Sequence, residues 1–202
     1  MKSFILKIIF AFTIVLFCFS VSAQDKFEVV HHYKRFKVDL GMGYARPQGK
    51  GNKAGVLLYI EPKYNIVDKF TVGLKTEATA MARGYVDVNN SQVTGKAGLG
   101  LSFLATGDYY FSNQLARPFA GAGAGIYNLI SFQATTSNGG SISIPSTTKF
   151  GTMIRAGVEV WHVRAAIEYN FVPKTGLITN NYLGIKIGIV LGGGLYESIY
   201  DN

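Results

Sequence analysis

Between residues 55 and 79 the chain alternates apolar and polar positions with a period of two. Val56, Leu58, Ile60, Pro62 and Tyr64, then Phe70, Val72, Leu74, Thr76 and Ala78, fall on one face. Leu57, Tyr59, Glu61, Lys63, then Thr71, Gly73, Lys75 and Glu77, fall on the other. Two alternating arms joined at about residues 65–69 read as a β-hairpin. Pairing symmetric about Val67 sets Tyr64 opposite Phe70 and Glu61 diagonal to Lys75, within reach of long side chains.

The same period recurs along the chain. Strand one carries Phe36, Val38, Leu40, Met42 and Tyr44 against Lys37 and Asp39; the hairpin supplies strands two and three. Strand four is expected over residues 93–111, with Leu99, Leu101, Phe103 and Tyr109 on one side and Lys96, Ser102, Thr106 and Asp108 on the other. Strand five, 117–129, is rich in Gly and Ala, so its faces hardly differ. Phe119 and Tyr127, near its two ends, are expected to point outward. Strand six sets Ile154, Val158 and Val160 against Arg155 and Glu159, and a tight turn near His162 leads to strand seven, with Ile167 and Phe171 against Arg164 and Glu168. Strand eight sets Leu183, Ile185, Ile187 and Ile189 against Lys186. Connections alternate between long (near 46, 84, 131 and 173) and short (near 65, 112 and 162), which predicts an all-β, eight-stranded antiparallel up-and-down sheet with long loops at one end.

Composition then says what the sheet faces. Of 202 residues only 16% are charged, against 24 glycines and 13% aromatics. Lys2 and Lys7, an apolar run over 8–19 and Val21-Ser22-Ala23 make residues 1–23 a secretory signal peptide. Its removal takes away Cys18, the one cysteine, and lowers the net charge from +8 to +6. About 179 residues remain, enough for one domain. Export argues against nucleic acid as a partner and favours an anionic envelope polymer such as lipopolysaccharide. Residues 24–35 read as an exposed periplasmic lead-in, 36–192 as the barrel and 193–202 as a periplasmic tail.

Alternation alone does not say which face points out. A soluble ligand-binding barrel would put its apolar face inward. Here the polar face is mostly small residues with isolated charges of both signs: Lys37, Asp39, Glu61, Lys63, Lys75, Glu77, Lys96, Arg155, Glu159, Arg164, Glu168 and Lys186. That set suits a narrow lumen filled by paired side chains. Long aliphatics hold the strand centres, while Tyr44, Tyr64, Phe70, Phe111, Phe119, Tyr127, Phe150 and Phe171 stand near strand ends, the arrangement of aromatic girdles in a transmembrane β-barrel.

The signal peptide, the run Phe36-Lys37-Val38-Asp39-Leu40-Gly41-Met42-Gly43-Tyr44, the Glu61-Pro62-Lys63-Tyr64 segment, and Tyr182-Leu183-Gly184-Ile185-Lys186-Ile187-Gly188 before three glycines together resemble small outer-membrane β-barrel proteins of the OmpA/OmpX-like group, particularly the Bacteroidetes type. The resemblance covers essentially the whole mature chain and implies insertion by the barrel-assembly machinery, a monomer and a non-enzymatic role in envelope integrity or surface contact; the even strand count puts both termini at the short-turn end, expected to be periplasmic. The group often ends on a terminal aromatic, whereas this chain runs on through Tyr196 and Tyr200 to Asn202.

Candidate chemistry is sparse. His31, His32 and His162 all fall at the short-turn end, away from where a lipid-modifying enzyme of the outer leaflet needs its base. No third ligand accompanies the His31-His32 pair, so no metal is expected. Gly121-Ala122-Gly123-Ala124-Gly125 lies in a strand and lacks a P-loop lysine; no catalytic residue and no cofactor is expected. Residues 131–149, with Phe132, Ile142, Ile144 and Pro145 among Ser, Thr and Gly, suit a contact surface, and Arg46, Lys50 and Lys53 add positive charge at that end. The alternatives are a narrow channel or carrier for small solutes and a soluble secreted ligand-binding barrel.

Overall fold

The computed structural model describes residues 31–49, 52–82, 97–130, 146–175 and 179–197, with 85–86, 92–93, 132–135 and 141–144 as short strand pieces. The expected signal peptide, Lys50, Lys96 and Pro145 lie outside the described residues. Eight long strands close into one barrel: β1 (Phe36–Pro47), β2 (Lys53–Val67), β3 (Phe70–Ala82), β4 (Ala97–Tyr110), β5 (Ala116–Leu129), β6 (Thr147–Val160), β7 (Val163–Phe171) and β8 (Tyr182–Gly192). Each pairs antiparallel with its sequence neighbours, and β8 closes on β1 through Gly188 opposite Gly41. The period-2 pattern therefore becomes an inside and an outside. Leu74 is 67% exposed on the outer wall, whereas Glu77 on the same strand is 0% exposed in the lumen.

The β2–β3 turn is two residues, Asp68 and Lys69, with Tyr64 opposite Val72 and Val67 opposite Phe70. Tyr64 does not meet Phe70. Among the described non-glycine residues only Trp161 has positive φ, so this turn lacks the primed geometry that matches strand twist, and a bulge between Asn65 and Val67 supplies the correction. Pro62 pairs with Val38 of β1, and the ladder to β3 is interrupted between Ile60 and Lys63, where its missing N–H leaves no donor. Pro118 lies just beyond the end of the β4–β5 ladder at Phe119. At the β6–β7 turn Trp161 takes φ 54°, and Nδ1–H of His162 donates to the Val190 carbonyl at 2.8 Å.

At the other end β3–β4 and β5–β6 continue as short ribbons, Tyr85–Val86 with Gln92–Val93 and Phe132–Thr135 with Ser141–Ile144. At the short-turn end His31–Tyr33 pairs with Leu195–Glu197. Gly192 and Gly193, at φ 78° and 65°, turn the chain out of β8 into that ribbon, a conformation that favours glycine. Residues 31–35 are thus not simply an exposed lead-in: Tyr33 is buried.

Candidate functional site

Among the described residues, buried ionisable chemistry is concentrated in the lumen. All eight strands contribute: Lys37 and Asp39 from β1, Glu61 and Lys63 from β2, Lys75 and Glu77 from β3, Asp108 from β4, Arg117 from β5, Arg155 and Glu159 from β6, Arg164 and Glu168 from β7, Lys186 from β8. These seven cations and six anions are all buried. Inward positions repeat every second residue, so each strand delivers its charges at a few fixed heights. A charge removed from water needs a partner, and every one of them has an ion pair.

Nearest the short turns, Glu159 gathers Lys37 at 2.9 Å, Arg117, Arg164 at 3.2 Å and the Tyr110 hydroxyl, which donates at 2.7 Å. Asp108 forms the next level, accepting from Arg155 Nε and Arg164 Nη2, each at 2.7 Å, with Lys63 at 3.2 Å. Glu61 takes both Nη atoms of Arg155, at 2.7 and 2.8 Å, the bidentate geometry that makes guanidinium–carboxylate pairs strong. Asp39 accepts from the Tyr59 hydroxyl at 3.0 Å and from Arg164 Nε at 3.1 Å. The Tyr59 ring needs room on the neighbouring wall. A Cβ on Gly41 would stand 2.7 Å from it, and one on Gly188 would collide with its hydroxyl.

Higher up, Lys75, Lys186, Glu77 and Glu168 form a separate neutral quartet in which each lysine touches both glutamates, with Lys186 to Glu168 at 2.8 Å and Lys75 to Glu77 at 3.3 Å. Tyr182 donates to Glu77 at 2.6 Å. Leu57, Met81, Met153, Val172 and the Tyr127 ring toward the loop end, with Leu104 directly opposite Lys75, belong to one buried apolar cluster.

Tyr33 closes the opposite end. Its hydroxyl donates to the carbonyls of Asn113 and Gln114 at 3.2 and 2.9 Å, its N–H donates to Asp68 Oδ1 at 3.1 Å, and the Arg117 guanidinium stacks on its ring at 3.5 Å. Burial pushes its phenol above the ordinary tyrosine range.

Three expectations need correcting. Glu61 does not pair with Lys75: its partners are Arg155 and Lys63, while Lys75 holds Glu77 and Glu168. In so narrow a barrel long side chains reach across the lumen as easily as along the wall, and the fork of Arg155 is the better fit for a carboxylate. Phe119 and Tyr127 are not girdle residues, since both are 2% exposed and face inward. Gly157, directly opposite Phe119, leaves space for its ring, on which Arg164 stacks at 3.5 Å. Gly151 does the same for Tyr127, whose hydroxyl donates to Asn170 Oδ1 at 2.7 Å. The other six girdle residues are exposed on the outer wall: Tyr44, Phe150 and Phe171 toward the loops, Tyr64, Phe70 and Phe111 toward the turns, where exposed Trp161 joins them.

Asp108 and Arg117 were absent from the expected lumen set, yet each is central to it. A signal for both was present. Asp108 shares parity with Ser102 and Thr106, and Arg117 shares parity with Phe119 and Tyr127. An arginine facing lipid is costly, so turning Arg117 inward turns both aromatics with it. Among the described residues no three His, Cys, Asp or Glu side chains are grouped as metal ligands.

No protein-family model and no curated protein sequence matches this chain. Solved structures do. Neisserial surface protein A is 17% identical, covering 79% of this chain and 98% of its own, with a TM-score of 0.55. The outer membrane protein OprG of Pseudomonas aeruginosa is 14% identical, covering 83% of this chain and 98% of its own, with a TM-score of 0.56. The fold is that of the small outer-membrane β-barrels.

Proposed function

We propose that this chain is a non-enzymatic outer-membrane β-barrel protein with a plugged, charge-paired lumen, serving envelope integrity or surface contact through its loops. The observation that carries the reading is the inversion of polarity: a closed sheet with apolar side chains exposed around its wall and thirteen paired charges buried inside. Hydrocarbon tolerates a sheet only when no edge is left unpaired, and the β8–β1 ladder removes the edge. A water-soluble ligand-binding barrel needs the opposite polarity.

Export through the Sec signal, termini on the periplasmic side and long loops outside complete the reading. Lipid and lipopolysaccharide are the surroundings, the barrel-assembly machinery inserts the chain, and it works as a monomer. The ion pairs and the apolar cluster are buried inside the barrel, which supports a plug in preference to a channel. The test has two parts. Refolded in micelles, the mature chain runs on an unboiled gel as a compact, heat-modifiable band. In planar bilayers it gives no steady single-channel steps; steps of constant size would replace the plug with a narrow channel, and a chain that stays monomeric in water without detergent would overturn the membrane assignment.

A further inference from the structure

We propose that a preformed groove on the outer wall, at the loop end between β6 and β7, binds a phosphorylated acyl lipid of the surrounding leaflet; this rests on the membrane-barrel reading above. The outward side chains of β6 run large, small, large at Phe150, Thr152 and Ile154, and the register places Thr152 beside Phe171 of β7. The short threonine leaves a shallow, open groove of about 450 Å³ lined by the two phenylalanines together with Pro173, Lys174 and Asn181.

These loop residues are held in place. Asn181 Oδ1 accepts the Val172 N–H at 2.9 Å, and the Val172 side chain is buried in the apolar cluster inside the barrel. Asn180 Nδ2 donates to the Pro173 carbonyl at 2.6 Å and to Thr175 Oγ1 at 3.0 Å. The Asn181 carbonyl accepts the Gln48 N–H at 2.9 Å, tying the loop to the end of β1. Lys174 therefore lies between the braced residues Pro173 and Thr175, exposed, and free of any ion pair among the described residues.

Two apolar rings and a cation lining one groove match an anionic amphiphile. Phe150 and Phe171, 66% and 43% exposed, are continuous with the apolar wall and would lie against an acyl chain. The Lys174 ammonium, a flexible point charge at the level where the wall gives way to loop, would meet the phosphate. A zwitterionic headgroup carries its own cation beside the phosphate and offers less to a single lysine.

The test uses the full mature chain, ¹⁵N-labelled in neutral detergent micelles and titrated with dioctanoyl phosphatidic acid, dioctanoyl phosphatidylcholine or inorganic phosphate. Saturable amide shifts at Gly151, Thr152, Phe171 and Lys174 are expected with phosphatidic acid and not with phosphate. Phosphatidylcholine, or the Lys174→Gln variant, should weaken binding about three- to fivefold, the scale of one exposed charge pair. Thr152→Trp, which fills the groove from the lipid side, should abolish the shifts while the gel mobility stays that of the folded barrel. Equal binding of both lipids, shifts with phosphate alone, or indifference to Lys174→Gln overturns the proposal. A barrel that folds and shows no such shifts loses the site and keeps the membrane reading; a chain that never folds in micelles loses both.

Discussion

The two halves of the lumen are filled by different chemistry. Toward the short turns, five cations and four anions interlock with Tyr110 and Tyr59, and Glu159 and Asp108 each hold three cations. Toward the loops, a neutral quartet of two lysines and two glutamates adjoins an apolar cluster with no charge in it, and Tyr59, a member of that cluster, is the link to the lower network through Asp39. Lysine, arginine and carboxylate side chains span a narrow barrel and must be paired, so the lower half is constrained by connectivity. Leucine and methionine need only contact, so the upper half is constrained by volume. A substitution therefore costs something different in each half.

The largest effect is expected at Asp108. Asp108→Ala strands Arg155, Arg164 and Lys63 around a missing carboxylate and should destabilise the barrel by about 3–5 kcal/mol, as breaking a buried pair does. Urea titration followed by the unboiled gel measures it; a loss below about 1 kcal/mol would mean that the network re-pairs freely and the halves do not differ. Leu57→Ala in the apolar half should cost about 2–4 kcal/mol through the cavity it leaves. Unlike Asp108→Ala, it should be rescued in part by a larger side chain at Met81 or Leu104, two of its partners in the cluster.

Tyr33→Phe removes the bonds to the Asn113 and Gln114 carbonyls and should cost about 1 kcal/mol. Hydrogen exchange should rise in the 111–115 turn and leave the loop end unchanged. The smallest effect separates the quartet from the network. Because the quartet is neutral and closed, the double variant Lys75→Met with Glu168→Leu removes one charge of each sign and should come within about 1 kcal/mol of the parent, although either single change is costly. A double-mutant cycle reads the coupling directly, and additive losses would tie the quartet to the rest of the network.

Much of this architecture is legible in the chain. Residues 36–44, 55–64, 70–78 and 182–191 alternate so cleanly that strand identity and the parity of each face follow, because a one-residue slip would exchange lipid and lumen for a whole strand. Strand five resisted the same reading. Between Phe119 and Tyr127 its residues are glycine, alanine and one isoleucine, which differ too little to mark a face, and two large aromatics near strand ends look alike whether they cap a girdle or plug a lumen.

The pattern of hydrophobic and charged residues determined by itself that this is a β-protein of eight antiparallel strands, with charges on one face and aliphatics on the other. Alternation is a local property, and it fixes parity within each strand. The tertiary structure decided which charges meet, that Asp108 and Glu159 are the hubs, that Phe119 and Tyr127 turn inward over Gly157 and Gly151, and that Tyr33 seals the short-turn end. Those contacts cross the barrel between residues tens of positions apart. They depend on register and closure, which bring opposite walls within the length of an arginine side chain, and no single strand carries that information.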